Sequence, residues 1–94
     1  MVQLLANQRE AILRIAAKYG ARNVRVFGSM IRGTTTENSD VDILVDLDED
    51  RSLLDHVGLK QDLEELLGRT VDVVVEGGIS PYLQERILTE AVPL

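Results

Sequence analysis

Hydrophobic positions along this chain switch between a helical period and a strand period. Between Val2 and Tyr19, residues Leu5, Ile12, Ile15, Ala16 and Tyr19 fall on one helical face, with Gly20 placed to end it, so the spacing predicts a helix over 2–19. Val24 to Phe27 reads as a first strand, residues 29–33 as a short helix or turn, and Gly33 through Ser39 as a polar loop. A period of two then sets in over 41–47. Val41, Ile43, Val45 and Leu47 face one way, and Asp40, Asp42, Leu44 and Asp46 the other. Ser52 with Asp55 three residues on resembles a capping box for a helix carrying Leu53, Leu54, Val57, Leu63, Leu66 and Leu67, which Gly68 ends. The β-branched run over 71–75 predicts a buried strand, and Glu76-Gly77-Gly78 a turn. Ser80-Pro81 opens a last helix, about 81–90, with Tyr82, Leu83, Ile87 and Leu88. The order αβαβαβα describes one α/β (α+β) domain over 1–94.

Composition narrows the class. Ninety-four residues at 45% hydrophobic support one globular core, and 3% aromatic makes that core aliphatic. The absence of cysteine excludes disulfides and zinc–thiolate sites and suits a reducing cytoplasm. No apolar stretch is long enough to span a bilayer, and the N-terminus lacks a signal-peptide pattern, so a soluble cytoplasmic protein is expected. The net charge of −6 argues against direct nucleic-acid binding, which needs Lys and Arg against phosphates. It suits a cation site or a basic partner protein. Much of that charge lies in Asp46, Asp48, Glu49 and Asp50, which read as a solvated loop.

The candidate chemistry sits where the first strand ends and the second begins. Gly28 lets backbone approach a ligand without a Cβ in the way, and a helix starting at Ser29 would offer free N–H groups and a hydroxyl to an anion. Asp40 and Asp42 lie two apart at the start of a strand, so their carboxylates share a face. A phosphate cradle beside paired acids is the minimum apparatus for Mg²⁺-assisted phosphoryl or nucleotidyl transfer. Asp72 interrupts the apolar run of the third strand. It either faces water from an edge strand or, because a crossover helix makes strands two and three parallel, starts at the same sheet end as Asp40 and Asp42.

Gly28-Ser29, a ten-residue gap and Asp40-Val-Asp42, each bordering a hydrophobic run, resemble the signature of the DNA polymerase β-like nucleotidyltransferase superfamily. In size and wording the chain is similar to the minimal nucleotidyltransferase (MNT) proteins of prokaryotes. That likeness implies a small mixed sheet of three or four strands with flanking helices, the first strand antiparallel to the second. It implies one or two Mg²⁺ ions held by Asp40, Asp42 and Asp72, with ATP as substrate, and Asp72 helping to deprotonate the attacking hydroxyl. Gly28, Ser29, Arg32 and Ser39 would bind or frame the phosphates. Relatives commonly carry an arginine directly after Gly-Ser; Met30 stands there, removing one implied phosphate contact. MNT proteins commonly pair as antitoxins with a HEPN-type ribonuclease toxin, and several adenylylate a toxin tyrosine. Two functions follow: adenylyl transfer to the toxin, or neutralisation by binding alone.

Other residues carry blander readings. His56 has no sequence partner for a metal or triad and reads as surface or packing; Tyr19 and Tyr82 read as packing. Ala91 to Leu94 and the segment bearing Ile79, Tyr82 and Leu83 are partner surfaces or parts of the domain's own core.

Overall fold

A computed structural model describes residues 3–33, 40–78 and 81–94. The elements run α1 (Gln3–Asn7), α2 (Arg9–Lys18), β1 (Ala21–Phe27), α3 (Ser29–Arg32), β2 (Val41–Leu47), α4 (Leu53–Leu67), β3 (Val71–Val75), α5 (Pro81–Glu90) and β4 (Val92–Pro93). The four strands form one mixed sheet in the order β3-β2-β1-β4. β1 runs antiparallel to β2 and to β4, whereas β2 and β3 are parallel. A parallel pair needs a crossover of a dozen or more residues, and the 15 residues of α4 meet that need.

The alternation expected along β2 places its two faces in different environments. Val41, Ile43 and Val45 join Val24, Val26, Val71 and Val73 on one face of the sheet. There they meet Leu5, Ile12 and Ala16 from α1 and α2, and Leu59, Leu63 and Leu67 from α4, to form the aliphatic core. The opposite face carries Arg25, Phe27, Asp42, Leu44, Asp46 and Asp72. Helices α1, α2 and α4 thus cover one side, and the polar chemistry lies on the other. Tyr19 packs its ring on Gly58 and donates its hydroxyl to Asp62 at 2.7 Å, tying α2 to α4. His56 donates from Nε2 to the Val73 carbonyl at 2.7 Å, tying α4 to β3. The Ser52–Asp55 capping box forms: the Leu54 N–H donates to Ser52 Oγ at 3.2 Å and the Ser52 N–H to Asp55 at 3.0 Å.

Three expectations need correction, and one open alternative is resolved. The helix expected over 2–19 divides into α1 and α2, because Gln8 leaves helical geometry at φ −106°, ψ 8°. β1 starts at Ala21 rather than Val24, through a register irregularity between Arg22 and Arg25 with Asn23 at φ 53°. Asparagine is one of the few side chains that tolerate that left-handed region. Ala91 to Leu94 supply β4: Val92 pairs with Val26, and the Leu94 N–H donates to the Val24 carbonyl at 3.0 Å. They therefore complete the domain's own sheet. Tyr82, expected to pack, is 95% exposed. Ser39, Ile79 and Ser80, read above as a phosphate-site residue, a contact residue and a helix cap, lie outside the described residues.

Candidate active site

Strand pairing brings the motif residues to one end of the sheet. Phe27, the last residue of β1, pairs with Asp42, so Gly28 follows directly beside that acid. Gly28 has φ 77° and ψ −149°, a combination essentially restricted to glycine. A Cβ built there would lie 2.1 Å from Asp42 Oδ2, so the carboxylate fills the space that glycine leaves. Both reasons require glycine at the same position. From Gly28 the chain turns into α3, with the Ile31 and Arg32 N–H groups donating to the Gly28 carbonyl at 3.0 and 3.1 Å.

Parallel register places the acids. Asp42 and Asp72 are Cα partners on adjacent strands and hence neighbours on the same sheet face. Asp40 stands immediately before β2, where the Val41 N–H donates to the Thr70 carbonyl at 3.0 Å. The carboxyl of Asp42 is held above its ordinary value, first by burial and then by the charges of Asp72 and Asp40; Arg32 acts the other way, and Glu90 adds to the rise. Like charges crowded on a partly buried acid are the electrostatic condition that a bound cation relieves. An all-carboxylate set is also the donor chemistry that Mg²⁺ prefers over softer metals. Among the described residues no three acidic or histidine side chains already form a ligand set for one ion. Strand register nevertheless brings the carboxylates of Asp42 and Asp72 to neighbouring positions on one sheet face.

Arg32 and Glu90 complete the neighbourhood. Arg32 Nη1 donates to Glu90 Oε1 at 2.7 Å, and the Gly28 N–H donates to Glu90 Oε2 at 3.3 Å. Phe27, Gly28, Arg32 and Asp42 form one wall of a cavity of about 210 Å³, and Leu83, Arg86, Ile87 and Glu90 of α5 form the other. Met30, at the position where the resemblance implies an arginine, is 3% exposed and packed in the aliphatic core. Its side chain serves α3 packing and is turned away from the cavity. Of the residues singled out in the sequence, Gly28, Arg32, Asp40, Asp42 and Asp72 gather at one sheet end, and Ser29 opens α3 beside them. Arg86 and Glu90 carried no sequence signal, since each sits among polar residues on an ordinary amphipathic helix.

Comparisons with known proteins agree with this fold. The family model described as a nucleotidyltransferase domain matches residues 8–94. The protein adenylyltransferase MntA of Thermococcus cleftensis is 39% identical over 97 residues, covering 98% of each chain. A solved structure assigned as a minimal nucleotidyltransferase superposes with a TM-score of 0.87 at 52% identity, covering 99% of this chain and 97% of the other. A crystal structure of a toxin–antitoxin complex with AMP-PNP superposes with a TM-score of 0.77 at 26% identity, covering 89% of this chain and 69% of the other.

Proposed function

The chain belongs to the nucleotidyltransferase domain family, and from that premise we propose that it is a Mg²⁺-dependent protein adenylyltransferase. It takes ATP, transfers AMP to a hydroxyl of a partner protein, and acts as the antitoxin of a HEPN-type toxin. The adenylyltransferase name of the Thermococcus relative supports the reaction. The toxin–antitoxin complex with AMP-PNP supports both the kind of partner and the nucleotide. The observation that carries the reading is the contact of Gly28 with Asp42, because it joins the phosphate-facing bend to the acids in one unit.

In this reading each group has a task. The Gly28 N–H and the Arg32 guanidinium bind phosphate oxygens, with Ser29 beside them; the guanidinium also offsets charge on the departing pyrophosphate. Asp40, Asp42 and Asp72 would hold Mg²⁺, which supplies charge neutralisation along the triphosphate. Asp72, at the exposed edge of the pair, faces the direction from which a partner's hydroxyl approaches and accepts its proton. The acceptor hydroxyl comes from the partner protein, which meets the acids at the open end of the sheet.

Labelled AMP transferred from ATP to the co-purified partner tests this directly. Asp42→Asn is expected to cut transfer by at least about a hundredfold, the scale of one lost electrostatic group in a preorganised site. No transfer by the wild-type chain with any nucleotide and its cognate partner contradicts the proposal. Burial of Met30 at the position of the family arginine favours a second reading, in which the fold neutralises its partner by binding alone. An Asp40→Asn/Asp42→Asn protein that still neutralises the toxin supports that reading. Complex formation without neutralisation excludes it.

A further inference from the structure

Pairing of β4 with β1 brings the end of α5 to the end of β1: Val26 pairs with Val92 and Arg25 with Pro93, and Glu90, the last residue of α5, stands two residues before Val92. The two carboxylate oxygens of Glu90 then divide between the donors of the opposite wall: one accepts from the Gly28 N–H, the other from Arg32. Its side chain is only 18% exposed, so this is a seated anion rather than a passing surface contact. One carboxylate bridging a backbone amide and a guanidinium is the arrangement that two oxygens of a phosphate would adopt on the same donors. The chain's own acid thus occupies the anion position next to Asp42.

A nucleotide also needs more positive charge and more room than this wall offers. Arg32 is committed to Glu90, and Met30 is buried where a second cation would stand. Arg86 lies one helical turn before Glu90, lines the same cavity, and has no ion-pair partner among the described residues. The cavity of about 210 Å³ falls below the roughly 300 Å³ at which ligand pockets begin. An open groove of about 480 Å³ along α5, lined by Tyr82, Glu85, Arg86, Thr89 and Glu90, shares Arg86 and Glu90 with it. Together the two concavities reach the size of a nucleotide site, and α5 is the element common to both.

We propose that α5 forms the second wall of the nucleoside triphosphate site, with Arg86 binding phosphate and Glu90 standing in for phosphate until nucleotide displaces it. The inference rests on the adenylyltransferase reading and adds to it a competition built into the fold. ATP must remove Glu90 from Gly28 and Arg32 before binding, so the carboxylate weakens apparent affinity. Arg86 works in the opposite direction, supplying the cation that Met30 does not.

The opposite signs make the test decisive. AMP-PNP with Mg²⁺ is titrated calorimetrically into the full chain and into Arg86→Ala, Arg86→Lys and Glu90→Gln, with thermal melting of each nucleotide-free protein alongside. Arg86→Ala is expected to raise Kd about tenfold, the cost of one charged phosphate contact, with Arg86→Lys recovering part of it and the melting temperature unchanged. Glu90→Gln is expected to lower Kd about threefold or more while lowering the melting temperature, because the Arg32 ion pair is lost. A merely structural Glu90 would weaken both together. Unchanged affinity in either variant, or weaker binding by Glu90→Gln, overturns the inference while leaving the transferase reading in place. Failure of the wild-type chain to bind AMP-PNP with Mg²⁺ removes the transferase reading and this inference with it.

Discussion

At the residue scale, one contact concentrates the site's requirements. Asp42 Oδ2 occupies the space of a Cβ at Gly28, and Gly28 holds backbone angles that other residues avoid. Gly28→Ala therefore combines backbone strain of about 1–3 kcal/mol with displacement of the carboxylate. It is expected to lower the midpoint of chemical denaturation and to abolish AMP transfer. A variant of wild-type stability and activity would show that the glycine serves neither purpose. This part of the site was legible in the sequence, because both Gly-Ser at a strand end and alternating acids state local geometry. Glu90 was not legible. Its place depends on strand pairing with residues more than sixty positions earlier, and a glutamate near the end of a polar helix gives no local sign of that. The burial of Met30 was likewise unreadable, since a methionine after Gly-Ser is compatible with either face of a four-residue helix.

At the element scale, the long regular segments were legible and the short or interrupted ones were not. β2, α4 and β3 follow their periods closely, and the capping box and Gly68 mark the limits of α4. The break at Gln8 has no proline or glycine to announce it. β4 is two residues long and contains a proline, so only its partner β1 makes it a strand. Leu53 and Leu54, apolar in the sequence, are 74% and 81% exposed in the first turn of α4. A second link from α4 to the acid-bearing β3, beside His56, is Glu64, which accepts from Lys60 at 2.8 Å and from the Val71 N–H at 3.0 Å. Its carboxyl is held below the ordinary glutamate value of 4.5, first by Lys60 and then by the Val71 N–H. A depressed folded value means stabilisation that is complete above the unfolded value and lost as pH falls through the folded one. Glu64→Gln is expected to lower stability at pH 7, with the gap to wild type closing below about pH 4.5 in a series of urea denaturations. A gap independent of pH would assign Glu64 no charge-dependent role.

At the scale of the whole molecule, the helices and the acids divide the sheet between them. One face is closed by α2 and α4 around an aliphatic core, while the other offers acids, a cavity and a single short helix. No described helix is long and apolar enough to cross a membrane. Two arginines of β1 already offset part of the acidic run at the end of β2 and just after it: exposed Arg22 pairs with Asp48, and largely buried Arg25 with Asp46 at 2.8 Å. That segment is therefore less purely solvated than its sequence implies. At the other end of the sheet, Asp72 and Asp40 both act on the Asp42 carboxyl, with Arg32 opposing them.

Crystals of the chain grown with Mn²⁺ and a non-transferable ATP analogue test the central claim most directly. An anomalous peak about 2.1 Å from carboxylate oxygens of both Asp42 and Asp72, with the nucleotide's phosphates on the Gly28 N–H and Arg32, is the predicted result. A peak held by neither acid, or Asp72 turned away while nucleotide and metal are bound, would contradict it.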